Sequence, residues 1–215
     1  AMEEGKIARF EEISRCAPEV QDALISLLSE KRVSIPELNR DQAAARGFSL
    51  IATANTRDKG VNEMSAALKR RFNIVILPSP KNLEAEVEIV ESRVKQLSAQ
   101  LRLPAELPEE EAVRKVCTVF LELRNGETLD GGQKVKSTQN VLSTAEAISL
   151  LVNSMALAGS FGTGEVRDRD LAAALQGAIV KDEEKDRKIW EEYLEHIMKR
   201  RGSEWAELYD ACRSL

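Results

Sequence analysis

Cysteine, histidine and aromatic residues are scarce in this 215-residue chain, which has three Cys, one His and 4% Phe, Trp and Tyr. Cys16, Cys117 and Cys212 are odd in number and widely spaced, and His196 is the lone histidine, so neither a disulfide framework nor a zinc site is supported. The expected state is three reduced thiols. No apolar run approaches the roughly 18 residues that a membrane helix needs, and the segment from Ala1 to Arg9 has no signal-peptide core. No membrane partner is expected, and the default location is the cytoplasm. Basic runs never exceed three residues, and 31 Lys and Arg against 36 Asp and Glu leave a net charge of −5. That balance argues against nucleic acid as a partner. The phosphate-binding pattern GxxxxGK[ST] is also missing: GTGEV at 162–166 lacks it and lies behind no buried strand.

What is present begins with Ile7 to Glu12, IARFEE, an apolar strand that ends in two acids. In phosphate-loop ATPases a buried strand carries such a carboxylate pair out of its carboxyl end. One acid there organises Mg²⁺ through water and the next polarises the attacking water. A solvated strand end has the same appearance, so the pair gains meaning only from the residues downstream of it. Pro18 suits the first turn of a helix, and Val20, Leu24, Leu27 and Leu28 recur at helical spacing as far as Glu30. Val33 to Ile35 and Phe48 to Ala54 read as strands separated by a polar loop from Glu37 to Gly47. A short helix is expected from Asn62 to Arg71, then a buried strand from Ile74 to Leu77 closed by Pro78 and Pro80.

Beyond the prolines the pattern turns helical. Asn82 can cap a helix whose Leu83, Val87, Val90, Val94, Leu97 and Leu101 alternate in steps of four and three. At under three heptads this stripe reads as one helix of a bundle rather than a coiled coil. Further helices are expected over Glu109 to Leu123, Thr138 to Ala158 with Gly159 as cap, Asp168 to Val180, Asp182 to Arg200, and Ser203 to Cys212. Trp190 and Trp205 lack flanking basic runs and read as core residues. His196 has no evident catalytic partners in sequence.

Two blocks, IARFEEISRCAPEVQDALISLLSEKRVSI and IATANTRDKGVNEMSAALKRRF, in this order and spacing, resemble the MoxR-like branch of the AAA+ ATPases over residues 6 to 77. The resemblance implies a β-hairpin between the helix that begins at Pro18 and the sensor strand, formed with Val33 to Ile35, and that Glu12 is the carboxylate that orients water for attack on the γ-phosphate. Glu11 would assist Mg²⁺, although the family usually has the shorter Asp at that position. Asn55 would hold the same water from the neighbouring sensor strand. Arg71, before Phe72, matches the arginine finger that enters an adjacent subunit's site, and Arg70 could be a second contact; a solvated basic helix end is the bland alternative. The lid departs from the pattern, because Leu142-Ser143-Thr144-Ala145 stands where relatives carry Ser-Pro-Arg. Lys136 or Lys134 would then have to reach the nucleotide.

The expected fold is α/β followed by all-α: a truncated AAA+ parallel sheet core over residues 1–78, a helical lid over 79–180 and a helical tail over 181–215, predominantly helical overall. The phosphate-loop strand would lie between the sensor strand and the last strand of the sheet. Without it the core has a gap, and self-association is the expected remedy. The resemblance implies the carboxyl-terminal part of a protein that binds ATP and Mg²⁺, forms a homo-oligomeric ring, hydrolyses ATP between subunits and remodels partner proteins. The chain alone is expected to be inactive. The alternative is a non-catalytic helical adaptor with a vestigial core.

Overall fold

Residues 1–55, 64–80, 82–138 and 142–215 are described by the computed structural model, and the chain divides into two units, Ala1–Leu77 and Pro78–Leu215. In the first, strand β1 (Ile7–Phe10) runs parallel to a strand that arrives only after a long excursion. The excursion holds helix α1 (Pro18–Glu30) and an antiparallel hairpin of β2 (Arg32–Ile35) with β3 (Arg40–Ala43). Strand β4 (Ser49–Ala52) then returns to β1, with Ile7 opposite Ser49 and Phe10 opposite Ala52. Parallel strands require such a crossover, and α1 supplies it.

Local chemistry explains these elements. Pro18 opens α1, where its missing N–H costs nothing, and Lys31 ends it in the left-handed region at φ 55°. The hairpin turns through Pro36–Leu38, with Asn39 also left-handed at φ 46°, a conformation asparagine tolerates better than most residues. Here the sequence expectation needs correcting. The stretch from Glu37 to Gly47 is not simply a polar loop: it contains β3, whose residues RDQA show no apolar alternation. Turn geometry, not a hydrophobic face, places that strand.

Helix α2 (Ala66–Lys69) is shorter than expected, and 62–63 of the expected span lie outside the described residues. Ser65 caps α2 by accepting a hydrogen bond from the Leu68 N–H at 3.1 Å. Leu68 packs with Ile13, Leu24, Leu27, Phe48 and Leu50 as the core of this unit. A second correction concerns Ile74 to Leu77, which the sequence suggests as a buried strand. This segment joins no ladder among the described residues, and its four side chains are 60%, 78%, 85% and 86% exposed.

The second unit is helical: α3 (Leu83–Leu101), α4 (Glu110–Asn125), α5 (Thr144–Phe161), α6 (Asp168–Ile179), α7 (Lys185–His196) and α8 (Ala206–Arg213). Asn82 caps α3, accepting from the Ala85 N–H at 2.9 Å. Val87, Val90 and Val94 of α3 face inward, whereas Leu101 is 59% exposed, so the stripe packs into a bundle only over its first three turns. One hydrophobic core runs from Val87 through Phe120, Met155, Leu175, Trp190 and Leu208 to Cys212. Gly159 lies inside α5 rather than capping it, because α5 continues to Phe161 and Gly162 forms the cap. A Cβ at Gly159 would sit 2.5 Å from the Pro104 carbonyl oxygen, so the loop can cross the helix only where there is no side chain. Among the described residues, no helix is long and apolar enough to cross a membrane.

Candidate functional site

The end of β1 is where chemistry-bearing residues converge. The parallel pairing continues past both strands: the Thr53 N–H donates to the Phe10 carbonyl at 2.9 Å, and the Ile13 N–H donates to the Thr53 carbonyl at 2.9 Å. Glu11 and Glu12 lie in the turn between those two bonds. The Thr53 hydroxyl donates to Glu11 Oε2 at 2.5 Å and accepts from the Glu12 N–H at 3.1 Å. Glu12 takes the left-handed conformation, φ 52° and ψ 49°, which costs a residue with a Cβ about 1–2 kcal/mol. Ile13, next in the chain and 1% exposed, anchors the turn in the core.

Both carboxylates have cationic neighbours from their own segment. Arg9 pairs with Glu11 Oε1, and Arg15 pairs with Glu12 at 2.6 Å. The Thr53 hydroxyl, and after it the Arg9 guanidinium, hold the Glu11 carboxyl below the usual carboxylate range. Asn55 stands two residues past Thr53 at the same end of the sheet and is exposed. The donors offered here are hard oxygens, the chemistry Mg²⁺ prefers, and Mg²⁺ is commonly held by one or two carboxylates together with substrate phosphates. Among the described residues, no group of three or more His, Cys, Asp or Glu could hold a metal. The acids therefore fit the protein's share of a metal–nucleotide site rather than a self-sufficient metal centre.

The other residues singled out from sequence sit elsewhere. Arg70 is the exposed carboxyl-terminal cap of α2. Arg71 comes next, donating from Nε to Ser29 Oγ at 2.5 Å and from Nη1 to the Ala67 carbonyl at 2.7 Å, so it ties α2 to α1. Lys136 belongs to the helical unit and pairs with Glu192 of α7 at 2.7 Å. The structure thus brings Glu11, Glu12 and Asn55 to one strand end and places Arg70, Arg71 and Lys136 on other elements. Thr53 is a residue that sequence reasoning does not single out. Its one signal is a hydroxyl two residues before Asn55, and only the strand register shows that it lies against the acids.

The helical unit has a cavity of about 540 Å³ whose lining includes Lys115, Thr118, Glu122, Thr128, Arg201 and Trp205. Its charges answer one another. Glu122 accepts from Arg201 Nη2 at 2.5 and 2.6 Å, from the Tyr193 hydroxyl at 2.6 Å and from the Leu129 N–H at 3.0 Å. Lys115 pairs with Asp168 at 3.1 Å and Glu111 at 3.2 Å. These groups fasten α4 to α6 and to the chain's last elements.

Comparison with known proteins divides the chain at a similar place. Residues 1–72 match the AAA domain of the dynein-related subfamily, and residues 84–215 match the YehL-like AAA+ ATPase C-terminal domain. Uncharacterized protein YehL of Escherichia coli (strain K12) is 38% identical over 222 residues, covering 100% of this chain. The chain spans 59% of that relative's length. Among solved structures, NtrX from Brucella abortus in complex with ADP is similar over 97% of this chain and 48% of its own, at 16% identity and a TM-score of 0.49. With the C-terminal domain match covering more than half of its residues, this chain belongs to the YehL-like AAA+ ATPase family.

Proposed function

We propose that the acidic turn is the hydrolytic edge of a nucleotide site in an ATPase of the MoxR-like kind, which works as a ring and remodels partner proteins. The observation that carries this reading is the convergence of Glu11, Glu12 and Asn55 at the carboxyl end of two adjacent parallel strands. Open parallel sheets bind ligands at that end, outside the strand termini. Bound Mg²⁺–ATP supplies an electrophilic γ-phosphoryl group with its charge partly neutralised.

The chain's own residues do the rest. Glu12 takes the proton of the attacking water, for which the Arg15 pair must open. Glu11, engaged by Thr53 and Arg9, presents its remaining lone pairs to metal-bound water. Asn55 holds the attacking water from the second strand. Arg71, released from Ser29, supplies a cation to the site of a neighbouring copy, with Arg70 beside it. Lys136, in an exposed pair with Glu192, is the nearest equivalent to a lid sensor. The sequence has no GxxxxGK[ST], so the phosphate cradle in this reading comes from sequence outside these 215 residues, consistent with the 59% coverage of YehL. The isolated chain then hydrolyses no ATP.

The test is Glu12→Gln in a longer protein that joins this chain to a phosphate-binding loop. ATP hydrolysis should fall by about 10²–10⁴-fold while ATP still binds, the range for loss of a general base. Unchanged hydrolysis would overturn the assignment.

A further inference from the structure

We infer that Thr53 is the positioning residue of the acidic turn, setting the conformation of both Glu11 and Glu12; the inference rests on the hydrolytic reading of those acids. Every polar group of Thr53 is engaged by the segment from Phe10 to Ile13. Its N–H and carbonyl bind the Phe10 carbonyl and the Ile13 N–H, each at 2.9 Å. Its hydroxyl uses its single proton on Glu11 Oε2 at 2.5 Å and one lone pair on the Glu12 N–H at 3.1 Å. Four hydrogen bonds from one residue therefore frame a turn of two acids. Two of them fall on the backbone of Glu12 and Ile13, where the left-handed turn needs compensation.

The hydroxyl also resolves a difficulty at position 11. Glutamate is one methylene longer than the aspartate usual in such sites, so an unrestrained carboxylate would swing beyond a fixed metal position. Thr53 draws Oε2 back against the end of β4, while Arg9 engages Oε1. The carboxylate is held in one place with a lone pair left on each oxygen, as a ligand for metal-bound water requires. A hydroxyl is needed for this, because a methyl in its place can neither donate to Glu11 nor accept from Glu12. Serine can do both.

The experiment compares Thr53→Val, which keeps shape, with Thr53→Ser, which keeps the hydroxyl. Amide hydrogen exchange measured by NMR on this chain should show the Glu12 N–H exchanging roughly five- to tenfold faster in Thr53→Val, as loss of one hydrogen bond implies. Thr53→Ser should match the parent chain. The Thr53 N–H, bonded to the Phe10 carbonyl in all three, reports that the strands remain paired. In the longer ATP-hydrolysing protein, Thr53→Val should lower kcat with KM nearly unchanged, and Thr53→Ser should restore it. Unchanged Glu12 exchange in Thr53→Val overturns the inference, as does faster exchange with parental kcat in a protein whose hydrolysis Glu12→Gln abolishes. If Glu12→Gln leaves hydrolysis intact, the hydrolytic reading falls, while faster exchange in Thr53→Val still upholds the hold of Thr53 on the turn.

Discussion

Two carboxylates show how differently one residue type behaves in the two units. Glu122 has a side chain 1% exposed, yet both its oxygens are engaged by Arg201, and Tyr193 and the Leu129 N–H add further bonds. A buried acid with that many donors has its hydrogen-bonding capacity met inside the fold, and its removal strands partners that were desolvated on its account. Glu122→Ala should lower stability by about 3–5 kcal/mol, the usual effect of breaking a buried pair, measured as a shift of the urea midpoint. A loss under about 1 kcal/mol would show that Arg201 and Tyr193 find water instead. Tyr193 carries a linked pH effect. Burial first, and then the Glu122 charge, raise its hydroxyl well above the usual tyrosine range. The folded state therefore prefers the protonated phenol. Its contribution is complete below the unfolded value and is lost as pH rises past about 10. Glu11 is the opposite case: an exposed acid whose depressed value favours the charged form. Its contribution is present above the ordinary carboxylate value and fades as pH falls through the lowered one.

At the scale of elements, α5 shows what local sequence can and cannot reveal. Periodicity alone starts this helix at Thr138, but it begins at Thr144, and 139–141 lie outside the described residues. The signal is present as Ser143 and Glu146, a capping box in which Ser143 Oγ accepts from the Glu146 N–H at 3.2 Å and Glu146 Oε2 accepts from the Ser143 N–H at 2.8 Å. The same stretch, Leu142 to Ala145, departs from the Ser-Pro-Arg of MoxR-like chains. Capping is one physical reason for a serine here. Ser143→Ala should cost about 1 kcal/mol, read from thermal or urea unfolding of the chain, and a neutral outcome would mean that Glu146 alone suffices. The misread elements share a cause. Ile74 to Leu77 has the composition of a buried strand, but a strand needs a ladder partner, which composition does not report. β3 has none of that composition and forms because the turn at Asn39 brings it to β2. Gly159 resembles a helix stop in sequence because its contact with Pro104 is a tertiary one.

For the whole molecule, the order α/β then all-α is legible from periodicity and prolines, and the AAA+ family from two short motifs around Glu12 and Asn55. The register that sets Thr53 against Glu11 is not, since parallel pairing across 42 residues leaves no local trace. Nor does sequence tell that Arg71 is tied within its own chain to Ser29. That tie bears on the ring reading, because an arginine acting on a neighbour must first leave it. A ring with head-to-tail contacts makes each site from two copies, one giving Glu12 and the next giving Arg71. The most direct measurement is ATP hydrolysis by a one-to-one mixture of Glu12→Gln and Arg71→Ala forms of the longer protein. Each alone should be inactive, and the mixture should recover about one quarter of the parental rate, the fraction of contacts at which both native residues meet. A mixture as inactive as its parts, or an Arg71→Ala protein as active as the parent, would contradict an acidic turn completed by a neighbour's arginine.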